Sequence, residues 1–295
     1  MPEEGYELYQ HEEILSLEEF ALAAEKFARV FSVNKVRLTG GEPLIKRNIE
    51  FLVRQLAKIP GITDLAMTTN GILLNEKGQA LYDAGLRRLN VSIDTLDPVR
   101  FRKITRIGNL DSFMEGIREA KRIGFSPIKI NTVLLPGFNE ESEIIEWANM
   151  EGFLPRFIEL MPGLPLTSDM NHDQAPKLDD LVKRIESKFG KIERVVKISE
   201  STGEHAIRFI IPDRNWSFEI IPSVTNHFCS QCNRIRLNCV GILRFCLYSE
   251  ETLQIRSLLH KPDEEFAKAI IDFLVDKKND RHGQSIASYM FSIGG

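Results

Sequence analysis

Hydrophobic residues recur at helical spacing over 17–31, where Phe20, Ala23, Ala24, Phe27 and Val30 share one side. Ser16 stands where an N-cap is needed, with Glu18 and Glu19 favourable in the first turn. A strand is expected at 33–39, followed by the break GGEP at 40–43 and a helix near 47–58. The pattern then repeats. Strands at 64–69, 88–94, 127–135 and 156–161 alternate with helices near 74–84, 110–124 and 140–150. Strand and helix in strict alternation predict an α/β fold with a parallel sheet and helical crossovers. The breaks at GGEP, Asn70-Gly71, Asp94–Pro98 and Pro136-Gly137 fall where ligand loops sit in such folds.

The strand faces carry a second signal, because alternate residues point to opposite sides. Val36 and Leu38 oppose Lys35, Arg37 and Thr39. Leu89, Val91 and Ile93 oppose Arg88, Asn90, Ser92 and Asp94, and Ile128 and Ile130 oppose Lys129 and Asn131. If the apolar faces meet the helices, the polar faces all look the same way. A closed barrel fills its interior with branched apolar side chains. A polar inner face fits an open or partial barrel holding a polar ligand. The competing reading is an antiparallel sheet solvated on one side, which the helical crossovers disfavour. After Met161 comes a loop rich in turn formers, an amphipathic helix at 177–189, and strand-like pieces near 192–198, 205–211 and 216–221 that read as antiparallel. A further helix is expected near 262–277. We place the domains at 1–180, a partial barrel, and 181–295, an α+β domain.

The 295 residues are long enough for a sizeable core without disulfide staples. Lys plus Arg is 38 against 42 for Asp plus Glu, so bulk electrostatics give no reason to expect nucleic acid or a membrane surface as partner. No apolar run reaches membrane-spanning length. The acidic, polar start is unlike a secretory signal, which makes a cytoplasmic protein the expectation.

All four cysteines, Cys229, Cys232, Cys239 and Cys246, fall in the run FCSQCNRIRLNCVGILRFC. Such a cluster reads first as a metal site. Four thiolates would close a tetrahedral zinc site, and spacing alone favours that. Three would hold a [4Fe–4S] cluster with one iron open to a substrate atom. Arg234 and Arg236 follow the CxxC knuckle two apart, so an extended segment aims both guanidinium groups one way. Paired guanidinium groups suit a phosphorylated ligand, and Lys35, Arg37 and Lys129 on inward strand faces add to that picture. The competing reading is a solvated edge with surface charges.

Taken together, the chain resembles the radical S-adenosylmethionine GTP 3',8-cyclases, which catalyse the first step of molybdenum cofactor biosynthesis. The matching motifs are KVRLTGGEPL (35–44), MTTNG (67–71), GLRRLNVSID (85–94), RFIELM (156–161), FCSQCNRIRL (228–237) with Cys246, and the terminal IGG. The resemblance implies an incomplete (β/α)6 TIM-type barrel with a C-terminal iron–sulfur domain closing its mouth. It implies that Cys229, Cys232 and Cys246 ligate a [4Fe–4S] cluster whose open iron meets the guanine of GTP. Arg37, Thr68, Lys129, Arg234 and Arg236 would bind GTP, with Arg156 a further basic residue of that pocket. Gly41, Ser92 and Met161 would contact S-adenosylmethionine, and Gly294 and Gly295 would reach into the site as a tail. Reductive cleavage of the cofactor would give a 5'-deoxyadenosyl radical that removes the ribose 3'-hydrogen, after which C3' attacks C8. A reductant protein and the next enzyme of the pathway are the implied partners, and a homodimer the implied assembly.

Two departures stand out. Family members carry CxxxCxxC near the N-terminus for the cluster that cleaves the cofactor, and here no cysteine precedes Cys229. The sequence begins Met1-Pro2, matching the residues after that motif, and five strands are visible where the family has six. An N-terminally truncated cyclase, inactive as it stands, is the expectation. Cys239 is an extra thiol, which keeps the zinc alternative open. A non-catalytic nucleotide-binding or partner-binding relative with a structural metal site is the rival reading. A zinc hydrolase would need another ligand, for which His227 is the nearby candidate.

Overall fold

The computed structural model describes residues 9–161, 171–195, 206–226, 232–246 and 251–275. Two compact units divide them. The first draws on 1–67, 80–86 and 234–295, and the second on 68–79 and 87–233.

The first unit opens with α1 (Leu17–Phe31), β1 (Lys35–Leu38), α2 (Ile49–Lys58) and most of β2 (Asp64–Thr69). Ser16 starts α1 through a reciprocal capping box. Its hydroxyl accepts from Glu19 N at 3.1 Å, and its own N–H donates to the Glu19 carboxylate at 2.8 Å. That satisfies two donors that a helix start otherwise leaves unpaired. Glu19 also receives Arg256 at 2.7 and 3.1 Å, and this bond holds its carboxyl below the usual range. β1 and β2 run parallel, with Lys35 beside Asp64 and Leu38 beside Met67.

The same unit closes with a three-stranded antiparallel sheet, β9 (Arg236–Leu237), β10 (Ile242–Arg244) and β11 (Leu253–Gln254), and with α8 (Asp263–Val275). Ala23 and Phe27 of α1 share one core with Leu243, Ile255, Leu259, Phe266 and Ile270. Phe27 meets Phe266 edge to face, ring centroids 5.3 Å apart. Lys26 is buried beside them, its ammonium donating to Lys261 O at 2.6 Å and to Asp263 at 3.2 Å. Arg29 first, then Lys26, holds the Asp263 carboxyl well below the ordinary carboxylate range.

The second unit takes in the end of β2, the start of α3 (Leu74–Asp83), β3 (Arg88–Ser92), α4 (Pro98–Thr105), α5 (Leu110–Ile123), β4 (Ile128–Leu134), α6 (Glu141–Met150) and β5 (Leu154–Glu159). It continues with α7 (Leu178–Phe189), β6 (Glu193–Val195), β7 (Ile207–Ile211) and β8 (Trp216–Ile221). β3, β4 and β5 are parallel neighbours, as the alternation predicts.

Two elements differ from the sequence reading. β6, β7 and β8 are antiparallel to one another, but β8 also runs parallel to β5, pairing Arg156 with Glu219. The third short strand therefore extends the parallel sheet. The break at 94–98 leads into α4, which Asp97 caps by accepting from Arg100 N at 2.7 Å, with Pro98 at the first helical position.

The apolar strand faces are the buried ones. Leu89, Val91, Ile93, Ile128, Ile130, Phe157, Phe218 and Ile220 are each at most 5% exposed. The loop after β2 packs tightly on α5. Gly71 adopts φ +82, and a Cβ on Gly116 would stand 2.2 Å from Gly71 O.

Candidate functional site

Across the opposite face of the second unit's sheet runs a ladder of polar side chains. Thr68 Oγ1 accepts from Asn90 Nδ2 at 3.3 Å, and Asn90 Oδ1 accepts from an Arg156 terminal nitrogen at 3.1 Å. Arg156 Nε lies 3.2 Å from Glu219 Oε2, and Lys129 Nζ donates to both oxygens of Glu219 at 3.0 and 3.3 Å. Strand register dictates this convergence. Asn90 sits beside Lys129, Asn131 beside Arg156, and Arg156 beside Glu219. With side chains alternating at period two, these positions all project from one face.

The ladder's charged end is buried, with Lys129 6% and Glu219 4% exposed, while Thr68, Asn90 and Arg156 are half-buried. Buried charges persist only when paired, and here one carboxylate faces two cations. Asn131 Oδ1, in the row beside Arg156, is buried without a hydrogen-bond donor among the described residues. Such an atom leaves an acceptor open to a water or a ligand donor.

The ladder gathers Thr68, Lys129 and Arg156, three of the residues singled out in the sequence. Glu219, which anchors two of them, escapes sequence reading because its flanking strand reads as part of a separate antiparallel piece. Ser92, at the end of β3, is exposed, and Met161, two residues past β5, is half-buried.

Two further carboxylates brace the loops of this unit. Asp94 Oδ1 accepts from Val133 N at 2.8 Å, while Asn139 Nδ2 donates to Asp94 O and Val133 O. Burial pushes the Asp94 carboxyl up to about 6. Glu159, 2% exposed, is surrounded by donors. Oε1 accepts from Leu178 N at 2.9 Å and Thr225 Oγ1 at 2.7 Å, and Oε2 from Val224 N and Thr225 N, each at 2.8 Å. This one carboxylate ties the end of β5 to the start of α7 and to the segment just ahead of the cysteine run. RFIELM contains Glu159, and its position as the last residue of a strand is the signal that could have exposed it.

In the first unit, Arg37 is engaged by Asp64 at 2.7 Å, and Lys35 is exposed. Gly41 lies in a loop with open space where a Cβ would be. The β9–β10 hairpin carries the chemistry here. Ile235, Leu237, Leu243 and Phe245 pack on the core, so Arg234, Arg236 and Arg244 share the other side. Arg236 and Arg244 are direct cross-strand neighbours. Arg244, absent from the sequence reading, thus joins the expected Arg234–Arg236 pair.

Cys232 and Cys239 are free thiols, Cys232 half-buried and Cys239 exposed. Cys239 sits at the hairpin tip, where Asn238 Oδ1 accepts from Val240 N and Ile242 N and Gly241 turns with φ +83. At about 3.3 Å per strand residue, the tip is about 10 Å from the Arg236–Arg244 row. Cys246 lies two residues beyond that row. Two thiolates on one zinc stand no more than about 4.6 Å apart, twice the metal–sulfur distance. Cys239 and Cys246 therefore do not share a metal ion, and the four-cysteine zinc alternative falls. Cys229, Gly294, Gly295 and His227 lie outside the described residues.

Comparison with known proteins adds to the geometry. The family model described as Radical SAM superfamily matches residues 4–148, and that described as Molybdenum Cofactor Synthesis C matches 155–284. The GTP 3',8-cyclase of Alkaliphilus metalliredigens is 38% identical over 288 residues, covering 96% of this chain and 86% of the relative. That of Moorella thermoacetica is 40% identical over 292 residues, with the same shares. Among solved structures, SuiB of Streptococcus suis bound to S-adenosylmethionine is similar in fold, with TM-score 0.56, 14% identity, and coverage of 86% of this chain and 60% of that one. The α/β fold is thus of the radical SAM kind, and the chain belongs to the GTP 3',8-cyclase family.

Proposed function

We propose that this chain binds GTP for conversion to (8S)-3',8-cyclo-7,8-dihydroguanosine 5'-triphosphate, the cyclase reaction of molybdenum cofactor biosynthesis. The observation that carries the reading is the ladder itself, which brings the two cations Lys129 and Arg156 together around Glu219 on the polar face of the sheet. Thr68 and Asn90 add neutral hydrogen-bonding groups on the same face. Arg234 and Arg236 offer paired donors of the kind that phosphate oxygens accept, and Arg37 and Lys35 are the further basic groups. Gly41, Ser92 and Met161 would hold S-adenosylmethionine, with Gly41 permitting close backbone approach. Gly294 and Gly295 would supply the tail. Cys229, Cys232 and Cys246 would hold a [4Fe–4S] cluster, which supplies an open iron for the guanine when bound.

All four thiols of this 295-residue polypeptide lie at or after Cys229. They suffice for one three-cysteine cluster, and cleavage of S-adenosylmethionine needs a second. That count favours, for this polypeptide taken alone, binding without turnover. A reductant protein and an enzyme consuming the cyclised nucleotide complete the proposed setting, with a homodimer as the assembly and the cytoplasm as the compartment. No helix among the described residues is long and apolar enough to cross a membrane.

The test is anaerobic reconstitution with iron and sulfide, followed by equilibrium dialysis against GTP and ATP and chromatography of the nucleotide after adding S-adenosylmethionine and dithionite. The expected result is a brown protein that prefers GTP, with the nucleotide recovered unchanged. Equal or absent binding of GTP and ATP overturns the GTP reading. Cyclised product overturns the binding-only reading of this polypeptide.

A further inference from the structure

We infer that Glu219 is a built-in anion in the phosphate pocket, a specificity-determining residue that competes with incoming phosphate for Lys129 and Arg156. The inference rests on the proposed reading of those two cations as GTP ligands. Glu219 stands where a phosphate oxygen would stand: 3.0 and 3.3 Å from the Lys129 ammonium and 3.2 Å from Arg156 Nε. Ammonium and guanidinium groups donate to carboxylate and to phosphate oxygens alike. Lys129 donates to both oxygens of Glu219, while Arg156 places Nε 3.2 Å from Glu219 and donates from a terminal nitrogen to Asn90. A phosphate that takes up these donors must displace the carboxylate or sit beside it against like-charge repulsion.

The sheet supplies a place for the displaced group. Glu219 is flanked on β8 by Arg156 of β5 on one side and by Arg208 of β7 on the other. Directly opposed antiparallel residues have Cβ atoms about 5 Å apart, within reach of a glutamate and an arginine. Arg208 is exposed and donates to Ser217 Oγ at 3.1 Å. Phosphate binding would therefore pass Glu219 from Lys129 and Arg156 to Arg208. Only a ligand with enough negative charge to win that exchange is held, so the pocket discriminates a triphosphate from less charged nucleotides.

Titration calorimetry with inorganic tripolyphosphate and with GTP tests this on the full chain. Glu219→Gln is expected to tighten binding of both by about tenfold or more, the scale of removing one close like charge. Adding Lys129→Gln to that variant is expected to abolish the gain. Unchanged or weaker binding by a Glu219→Gln protein with native near-ultraviolet dichroism overturns the inference. If Glu219→Gln does not fold, Arg208→Ala decides instead. That residue is exposed, and the variant is expected to weaken tripolyphosphate binding about threefold or more; no change overturns the exchange. Tightening for tripolyphosphate with no preference for GTP over ATP keeps this inference and removes the GTP reading. A GTP preference in the parent chain without tightening does the reverse, and no binding by any of these proteins overturns both.

Discussion

Glu159→Gln keeps the size of a buried side chain while removing its charge and turning one acceptor into a donor. The carboxylate accepts four hydrogen bonds, from Leu178 N, Thr225 Oγ1, Val224 N and Thr225 N. The amide has two ways to lie. With its nitrogen toward Val224 and Thr225, two backbone N–H groups lose their acceptor. With its nitrogen toward Leu178 and the Thr225 hydroxyl, one N–H loses its acceptor while the hydroxyl turns to accept, so this orientation wins. The loss is then one charge-assisted bond, about 1.5–3 kcal/mol, plus the weakening of the others from charged to neutral. The total is roughly 3–5 kcal/mol, a large share of the 5–15 kcal/mol that holds a domain together. Both tryptophans, Trp147 and Trp216, lie in the second unit, so intrinsic fluorescence during urea unfolding reports on the unit that Glu159 anchors. The expected result is a lower urea midpoint with an unchanged slope. A loss below about 1 kcal/mol would refute the argument that this carboxylate clamps three segments.

Two other perturbations have equally definite outcomes. Gly116→Ala places a Cβ 2.2 Å from the backbone oxygen of Gly71, where no flexible side chain can yield, so a loss of about 3 kcal/mol or more is expected in the same urea assay; a near-neutral result would show that the loop after β2 gives way easily. For Asp94, the folded-state carboxyl lies at about 6 against an ordinary 3.8, so the native state binds the extra proton between those values. Its contribution is therefore complete below about pH 4 and lost as pH rises through about 6, by about 3 kcal/mol at most and less where solvent reaches the group. Asp94→Asn should remove that slope, and parallel stability profiles for the two proteins from pH 4 to 7 would contradict it.

Much of the fold is written locally. The helix at 17–31, the strand at 64–69 and the helix at 110–123 follow from apolar spacing at 3.6 or 2 residues and from caps such as Ser16, all properties of neighbours in sequence. The polar strand face was legible for the same reason, since parity alone puts Asn90 and Lys129 opposite Val91 and Ile130. The hairpin carrying Arg236 and Arg244 was not, because strands of two and three residues are too short to show a period.

The remainder depends on partners distant in the chain. Glu159, Asp94 and Glu219 look in sequence like any surface carboxylate. Each is an anchor only because tertiary folding brings donors or cations to it: Thr225, Val133, and Lys129 with Arg156. Cys239 shows the converse, since spacing groups it with Cys246 while the hairpin holds the two at opposite ends. Residue type and period determined most of the elements and which strand faces are polar, and the motifs pointed to the family. Strand register and the join of β8 to β5 decided which charges meet, because pairing between strands is set by packing across the sheet and leaves no trace in the local pattern.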